Sequence, residues 1–404
     1  MRISAVADAI AGPATLKLNE KANQLKADGK PVIHLGSGEP KAPVPQAATD
    51  AARVKLDSAV VRYSPTSGSP DLKKAVVEYT RRNYRYECSP ANVLISSGAK
   101  PAIFFALYSV VQPGDEVVFP APYWVSYPEM ARMLGGVPVV VAPEPGTFEP
   151  SFESFAAAVT DRTRAMIINS PNNPSGHVYS AALIKDLVRL CEERDICLIM
   201  DDIYHKLVFD GREAPSAFDF ARRTGEDSVI VAVNGVSKLY AMTGFRIGWA
   251  VASKRMINVM KNVQAQILSC PSSLAEAAAL GALEGDQGCV ESLRSTLQAN
   301  RDVMVGELSK IPGVKLNAPG GTFYSLPDFS AIDANSHRLC EFLVEKVMVV
   351  TVPGKDFGAE GHLRFSYCGS AREIIEGVER VRWALDPNGP RQITIGSTTF
   401  TRDW

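Results

Sequence analysis

Apolar residues along this chain follow two rhythms. Between residues 93 and 252, short and almost wholly apolar runs alternate with stretches in which apolar positions recur every three or four residues. The runs at 93–96, 116–119, 137–141, 165–169, 197–200, 229–233 and 248–252 predict strands, because a strand covered on both faces needs no polar positions. The stretches 99–111, 126–134 and 181–194 predict helices. Such alternation predicts an α/β fold with a mainly parallel sheet. Upstream, 14–27 reads as a helix with Gly29 near its stop, and 32–35 as a short apolar stretch. Residues 45–57 and 70–84 read as helices, the second with Ser69 as N-cap and Pro70 in its first position. Helical spacing dominates from 256 to about 310. Beyond it, strands at 322–326, 347–350 and 363–367 mix with helices at 337–345 and 371–385. The tail after Asp386 shows no clear element. This pattern divides the chain into a large domain, 45–300, and a smaller one built from 1–44 and 301–404.

Composition narrows the function classes. The chain has 404 residues, 46% hydrophobic and 22% charged, with a formal net charge of -1, as in ordinary globular proteins and unlike the basic footprint of a nucleic-acid binder. Seven cysteines with no CxxC pair argue against a disulfide framework and for a reducing, cytoplasmic compartment. The first twenty residues lack the long apolar core of a secretory signal, and no apolar run reaches the length of a membrane span. The five histidines form no HExxH or other metal pattern.

Candidate chemistry gathers where predicted strands end, the place where open α/β sheets bind ligands. The run CLIMDDIY ends in two acids, Asp201 and Asp202. An acid there can pair with a cationic ring nitrogen and keep it protonated, although such acids also cap helices or face solvent. Lys238 follows the strand 229–233 after a short turn, where desolvation and nearby cations would lower its pKa and suit it to Schiff-base chemistry and proton transfer. Arg246 sits in a Gly-x-Arg-x-Gly setting that suits a phosphate; two exposed basic residues are the alternative. The turn SSGAK at 96–100 can aim helix N-terminal amides at an anion, without the spacing of a Walker A loop. SPNNPSG at 170–176 is a turn in which Asn173 can present its amide to a ligand. Arg364, inside the apolar run LRFSY, needs a partner: a bound carboxylate or a structural ion pair.

Taken in order, SGEP, RYSPTSG, SGAK, APYWVSYPE, NSPNNPSG, DDIY, SK…GFRIGW and LRFSY resemble the motif series of the fold-type I, pyridoxal-phosphate-dependent aminotransferases of class I and II. The resemblance runs from about residue 6 to 385 and is strongest to the bacterial aspartate and prephenate aminotransferase subgroup. It implies that Lys238 holds pyridoxal 5′-phosphate and shuttles protons, that Asp201 pairs with the ring nitrogen, and that Tyr204 and Asn173 bond the ring oxygen. It further implies that Trp124 stacks on the ring and that Gly98, Ala99, Ser237 and Arg246 form the phosphate site. Tyr63 would reach the phosphate of a neighbouring subunit, which implies a homodimer with shared active sites. Arg364, helped by the Gly38 backbone and Asn173, would clamp the substrate α-carboxylate. Two positions depart from the pattern. Gly235 stands where serine is frequent, which puts one phosphate contact in doubt, and Asp202 stands where glutamate is common.

The implied reaction passes an amino group from an amino acid to a 2-oxo acid. For substrate choice, Thr15 and Lys100 match the pair with which the subgroup reads a second carboxylate, so aspartate or glutamate is expected, with 2-oxoglutarate and oxaloacetate as acceptors. In the alternative, Lys100 faces solvent or the cofactor phosphate. Prephenate or neutral and aromatic amino acids remain as other substrates, and a C–S lyase or an aminocyclopropane-carboxylate synthase as other reactions on the same fold. A regulator built on this fold would carry an added DNA-binding domain, for which 404 residues leave no room.

Overall fold

The computed structural model describes residues 1–404 except 11, 13 and 14, and except the side chains of 15–19. Its centre is a sheet of seven strands: β1 (Val93–Ser96), β2 (Glu116–Pro120), β3 (Val137–Val141), β4 (Thr163–Ile168), β5 (Cys197–Asp201), β6 (Ile230–Gly235) and β7 (Gly248–Val251). Their spatial order is β1-β7-β6-β5-β4-β2-β3. The strand β7 runs antiparallel to both its neighbours, and every other neighbouring pair is parallel. All seven predicted strands are present within a residue or two.

Successive side chains on a strand point to opposite faces, and the core divides accordingly. Ile167, Ile199 and Val231 pack with helices Ala99–Val110 and Lys254–Ile267 on one face. Met166, Ile168, Leu198 and Met200 pack with helix Ala181–Arg194 on the other. A third apolar cluster runs from Leu72 and Tyr79 on helix Pro70–Tyr84 through Trp249 to helices Ser336–Val347 and Ala371–Leu385, so the sheet and the C-terminal elements share buried surface. Helix Gly288–Leu308 carries the chain from one to the other.

Several helix starts follow the expected chemistry. Ser180, Ser253 and Ser370 accept backbone amides at their helix starts, satisfying donors that have no partner inside the helix. Ser69 and Pro70 do open helix Pro70–Tyr84, but the Ser69 side chain makes no cap; its backbone amide donates instead to Glu276 Oε1 at 2.9 Å.

The C-terminal strands are shorter than the apolar pattern predicts. The run 322–326 contracts to Tyr324–Ser325, and 347–350 to Val349–Val350, because Val347 closes a helix and Met348 turns into the left-handed region at φ 56. Ile33–His34 pairs in parallel with Val349–Val350. The tail after Asp386, where the pattern predicts nothing, forms a hairpin of Gln392–Ile395 and Thr398–Thr401 turning at Gly396, φ 63. Its inward residues Ile395 and Phe400 are buried, and Phe400 packs on Trp383 at 6.2 Å between ring centroids.

Among the described residues, no helix is long and apolar enough to cross a membrane, and no group of three or more His, Cys, Asp or Glu side chains could hold a metal ion.

Candidate active site

The carboxyl ends of β5 and β6 open onto a cavity of about 600 Å³. Asp201, the last residue of β5, is buried there. Its Oδ2 accepts the Tyr127 hydroxyl at 2.6 Å, and its backbone oxygen accepts Asn169 Nδ2 at 2.7 Å. Its other carboxylate oxygen, Oδ1, is buried and has no partner. Burial pushes its pKa up to about 6, opposed by the Tyr127 hydroxyl, the Ile203 amide and the charge of Lys238. A buried carboxylate with one empty acceptor position is costly unless a ligand donor fills it.

Lys238 stands on the short helix Val236–Leu239 that follows β6. Its Nζ donates to the Gly38 carbonyl at 2.7 Å. Withdrawal from water pushes its pKa down to about 8; Glu39 opposes the shift, and Arg364 and Arg246 add to it. The shift brings the free amine, the form a nucleophile or general base requires, closer to neutral pH.

Close backbone packing builds the turn at 96–99. Gly98 has φ +102, and a Cβ on it would stand 2.6 Å from Arg246 Nη2, so only glycine lets the guanidinium lie against this turn. A Cβ on Gly248 would stand 2.4 Å from the Ala99 amide nitrogen. Ala99 begins helix Ala99–Val110, whose first amides are free to face an anion. Arg246 itself lies in the left-handed region at φ 54 and is anchored through Nη1 to the Thr243 carbonyl at 2.7 Å. Ser237 lines the same cavity. Gly235 pairs with Gly248 across β6 and β7, and a Cβ there would come within 2.8 Å of the Ile247 carbonyl. The departure from serine at 235 is therefore a packing requirement of this backbone.

Arg364 reaches in from strand Leu363–Ser366. Its Nη1 donates to Asn173 Oδ1 and its Nη2 to the Gly36 carbonyl, both at 3.0 Å, while Nε is buried without a partner. The guanidinium lies 4.3 Å from the Tyr324 ring centroid. No acid pairs with it among the described residues, so the structural ion pair considered from sequence is not formed. Asn173 is linked back to Asp201, since its amide donates to Asn169 Oδ1 at 2.8 Å. Tyr204 lines the cavity and hydrogen-bonds Tyr324; burial lifts its phenol well above the usual range.

Lys100 Nζ lies 4.6 Å from the Trp124 ring centroid, and burial followed by the charge of Arg246 lowers its pKa. Both side chains line the cavity, Lys100 as an exposed residue at its rim. Gly38, Ala99, Asn173, Asp201, Tyr204, Ser237, Lys238, Arg246 and Arg364 join them, and Gly98 stands behind Arg246. Tyr63 does not: it is 92% exposed. The Thr15 side chain lies outside the described residues.

Tyr127, Asn169 and Tyr324 escape the sequence reading. Tyr127 and Asn169 stand inside quoted motifs, but linear order does not say which tyrosine meets the acid. The one usable signal is spacing, since Tyr127 follows Trp124 by one helical turn.

Similarity to known proteins extends over most of the chain. Residues 30–381 match the family described as Aminotransferase class I and II. The chain is 38% identical over 379 residues to a probable aspartate/prephenate aminotransferase of Aquifex aeolicus, covering 92% of this chain and 95% of that one. It is 38% identical over 372 residues to the aspartate/prephenate aminotransferase of Thermus thermophilus, covering 91% and 94%. The solved aspartate aminotransferase of Thermus thermophilus with maleate superposes with a TM-score of 0.90 at 37% identity, covering 95% of this chain and all of that one.

Proposed function

The chain belongs to the class I and II aminotransferases, and from that premise we propose that it moves the amino group between aspartate or glutamate and a 2-oxo acid, using pyridoxal 5′-phosphate held at Lys238. The reading is carried by unfilled groups around one cavity: buried Asp201 Oδ1 and Arg364 Nε lack partners, and Lys238 lines the same space. These residues fit the cofactor. Asp201 Oδ1 can accept a hydrogen bond from the protonated ring nitrogen. The Ala99 turn with Arg246 offers amides and a guanidinium to the phosphate. Trp124 offers an aromatic face, and Tyr204 and Asn173 offer polar groups to the ring oxygen. Asn173 Oδ1 is engaged by Arg364, which leaves its Nδ2 donor for that bond.

When bound, pyridoxal phosphate supplies an electron-withdrawing ring that acidifies the substrate Cα–H. The chain's residues do the rest. Arg364, with the Gly38 backbone, orients the α-carboxylate. Lys238 Nζ takes the Cα proton and holds it as a general base that then returns it as an acid. Asp201, kept anionic by a ring-nitrogen donor, holds positive charge on that nitrogen. Borohydride treatment followed by peptide mapping tests the assignment: the cofactor is expected on Lys238, and attachment to any other lysine overturns it.

Dicarboxylate substrates are supported by Lys100, an exposed cation on the cavity's rim beside Trp124, with Thr15 as its companion in the matching pattern. The Thermus thermophilus relative was solved with maleate, itself a dicarboxylate. Prephenate is the second reading, favoured by the names of the Aquifex and Thermus relatives and served by the same lysine. A panel of donors and acceptors separates the two; a preference for alanine or aromatic amino acids, or steady lyase turnover without an acceptor, would replace both.

A homodimer with shared sites is supported by Tyr63, which is 92% exposed and lies in a stretch of sequence whose apolar residues Val54, Leu56, Val60 and Val61 are exposed as well, since exposed apolar surface can mark protein contacts. Mixing inactive Lys238→Ala with inactive Tyr63→Ala subunits should restore part of the activity in hybrid dimers. A fully active monomer excludes it.

A further inference from the structure

We propose that Tyr127 is a positioning residue that decides how the proton is shared between Asp201 and the cofactor ring nitrogen, an inference that rests on the cofactor reading above. Tyr127 lies on helix Ser126–Met133 and is buried. Its ring packs edge-on against Trp124, with centroids 5.6 Å apart at 85°, and against Phe119 at 6.0 Å. These contacts fix the phenol, whose hydroxyl donates to Asp201 Oδ2 at 2.6 Å. One carboxylate oxygen is thereby committed to the protein and the other, Oδ1, is left without a partner. Asn169 holds the Asp201 backbone at 2.7 Å, so the carboxylate has little freedom to turn and trade its oxygens.

The chemistry follows from what a donor does to an acceptor. A carboxylate that receives a hydroxyl hydrogen bond is less basic than one that does not. Beside a ring nitrogen of comparable proton affinity, lower basicity at Asp201 leaves the proton on nitrogen and the charge on the ring. Without the phenol, Asp201 competes harder, and the surrounding low dielectric favours the neutral pair. The ionisable groups facing this pair are few. Lys238 approaches from the turn after β6, Asp202 and Tyr204 adjoin Asp201 in the chain, and Tyr179 faces Tyr127. The phenol of Tyr127 is itself lifted well above its ordinary range by burial, so it remains a donor at every working pH.

Tyr127→Phe keeps both ring contacts and removes only the hydroxyl. The holoenzyme variant is expected to show loss of ring-nitrogen protonation by ¹⁵N chemical shift of labelled cofactor. With less positive charge on the ring, the midpoint of its visible-absorbance titration should rise by about one pH unit, the scale of one hydrogen bond to a charged group. Turnover should fall about tenfold with KM for the amino acid within about twofold, as for a step-specific effect. A 3-fluorotyrosine placed at 127 is a stronger donor and deletes nothing; it should move the midpoint downward. Opposite displacements by the two substitutions establish the role. An unmoved ¹⁵N shift and unmoved midpoints overturn it, as does displacement of both in one direction. If cofactor maps to Lys238 while these readouts stay still, only the Tyr127 role fails; if it maps elsewhere, the cofactor reading fails first.

Discussion

On one side of the end of β5 lies the cavity that Asp201 enters, and on the other a closed network that receives Asp202. The network is complete. Asp202 is hydrogen-bonded to Tyr84; the Tyr84 hydroxyl accepts Asn234 Nδ2 at 2.9 Å. The same amide reaches His205 Nδ1 at 2.9 Å, and His205 Nε2 meets the Tyr79 hydroxyl at 2.9 Å. Burial, reinforced by the neighbouring Asp201, pushes the Asp202 pKa up to about 8, and burial drives His205 down to about 3. Near neutral pH this side therefore holds mainly uncharged groups that satisfy one another. On the cavity side, buried polar atoms of Asp201 and Arg364 stand without partners. Consecutive acids share a strand end and a degree of burial, so neither position nor depth separates the one proposed to meet the cofactor. What separates them is whether their hydrogen bonds are already spent within the protein.

The sharpest way to break this contrast is Asp201→Asn. It should retain the fold and lower turnover about a thousandfold, the scale of losing one preorganised electrostatic partner; near-native turnover in a steady-state assay would remove Asp201 from the chemistry. Arg364→Lys keeps the charge but loses the planar fork that receives a carboxylate. KM for amino donors should rise roughly tenfold to a hundredfold, and an unchanged KM would show that the unpaired Nε is not reserved for substrate.

Lys100→Ala sharpens the contrast at the cavity's edge. A charge-assisted contact of about 1.5–3 kcal/mol corresponds to roughly a ten- to hundredfold preference for aspartate over an isosteric neutral amino acid. Most of that preference, measured as a ratio of kcat/KM values, should vanish in the variant, while reaction with neutral donors changes little.

Asp202→Asn should have the smallest effect on turnover, within about threefold. Its signature is in stability. A free aspartate titrates near 4, whereas Asp202 in the fold titrates at about 8, so the folded state holds this proton more tightly. The stabilisation is complete below the free value and is lost as pH rises through 8. Melting temperatures of the variant should decline less than those of the wild type between pH 4 and 8; identical profiles would mean that Asp202 is not the protonated member.

The same contrast explains what was legible beforehand. The strands of the central sheet announced themselves as uninterrupted apolar runs, because both of their faces are covered. The reversed direction of β7 left no trace in its composition, since an antiparallel strand buried on both sides looks the same. The hairpin at 392–401 does leave one, Gly396-Ser397 between two short stretches rich in β-branched and aromatic residues, which is a hairpin signal. In the site, Lys238, Asp201, Arg246 and Arg364 were visible because charged groups beside apolar strands and glycines are out of place there. Tyr127 and Asn169 were not, because an aromatic on a helix and an amide in a Pro-rich turn have ordinary local explanations. Only the fold brings them to the acid.

The reversed strand also constrains how the protein is made. Among the sheet's strands, β1 pairs only with β7, so residues 93–96 leave the ribosome well before residues 248–251 exist. At about 5–20 residues per second of synthesis, that apolar strand waits roughly ten to thirty seconds with no sheet partner. Ile33–His34 waits longer still, for Val349–Val350. During vectorial synthesis the first-made segments are thus the last to be enclosed, and a chain cut short before residue 248 exposes an adhesive edge to any chaperone, protease or neighbouring nascent chain that meets it.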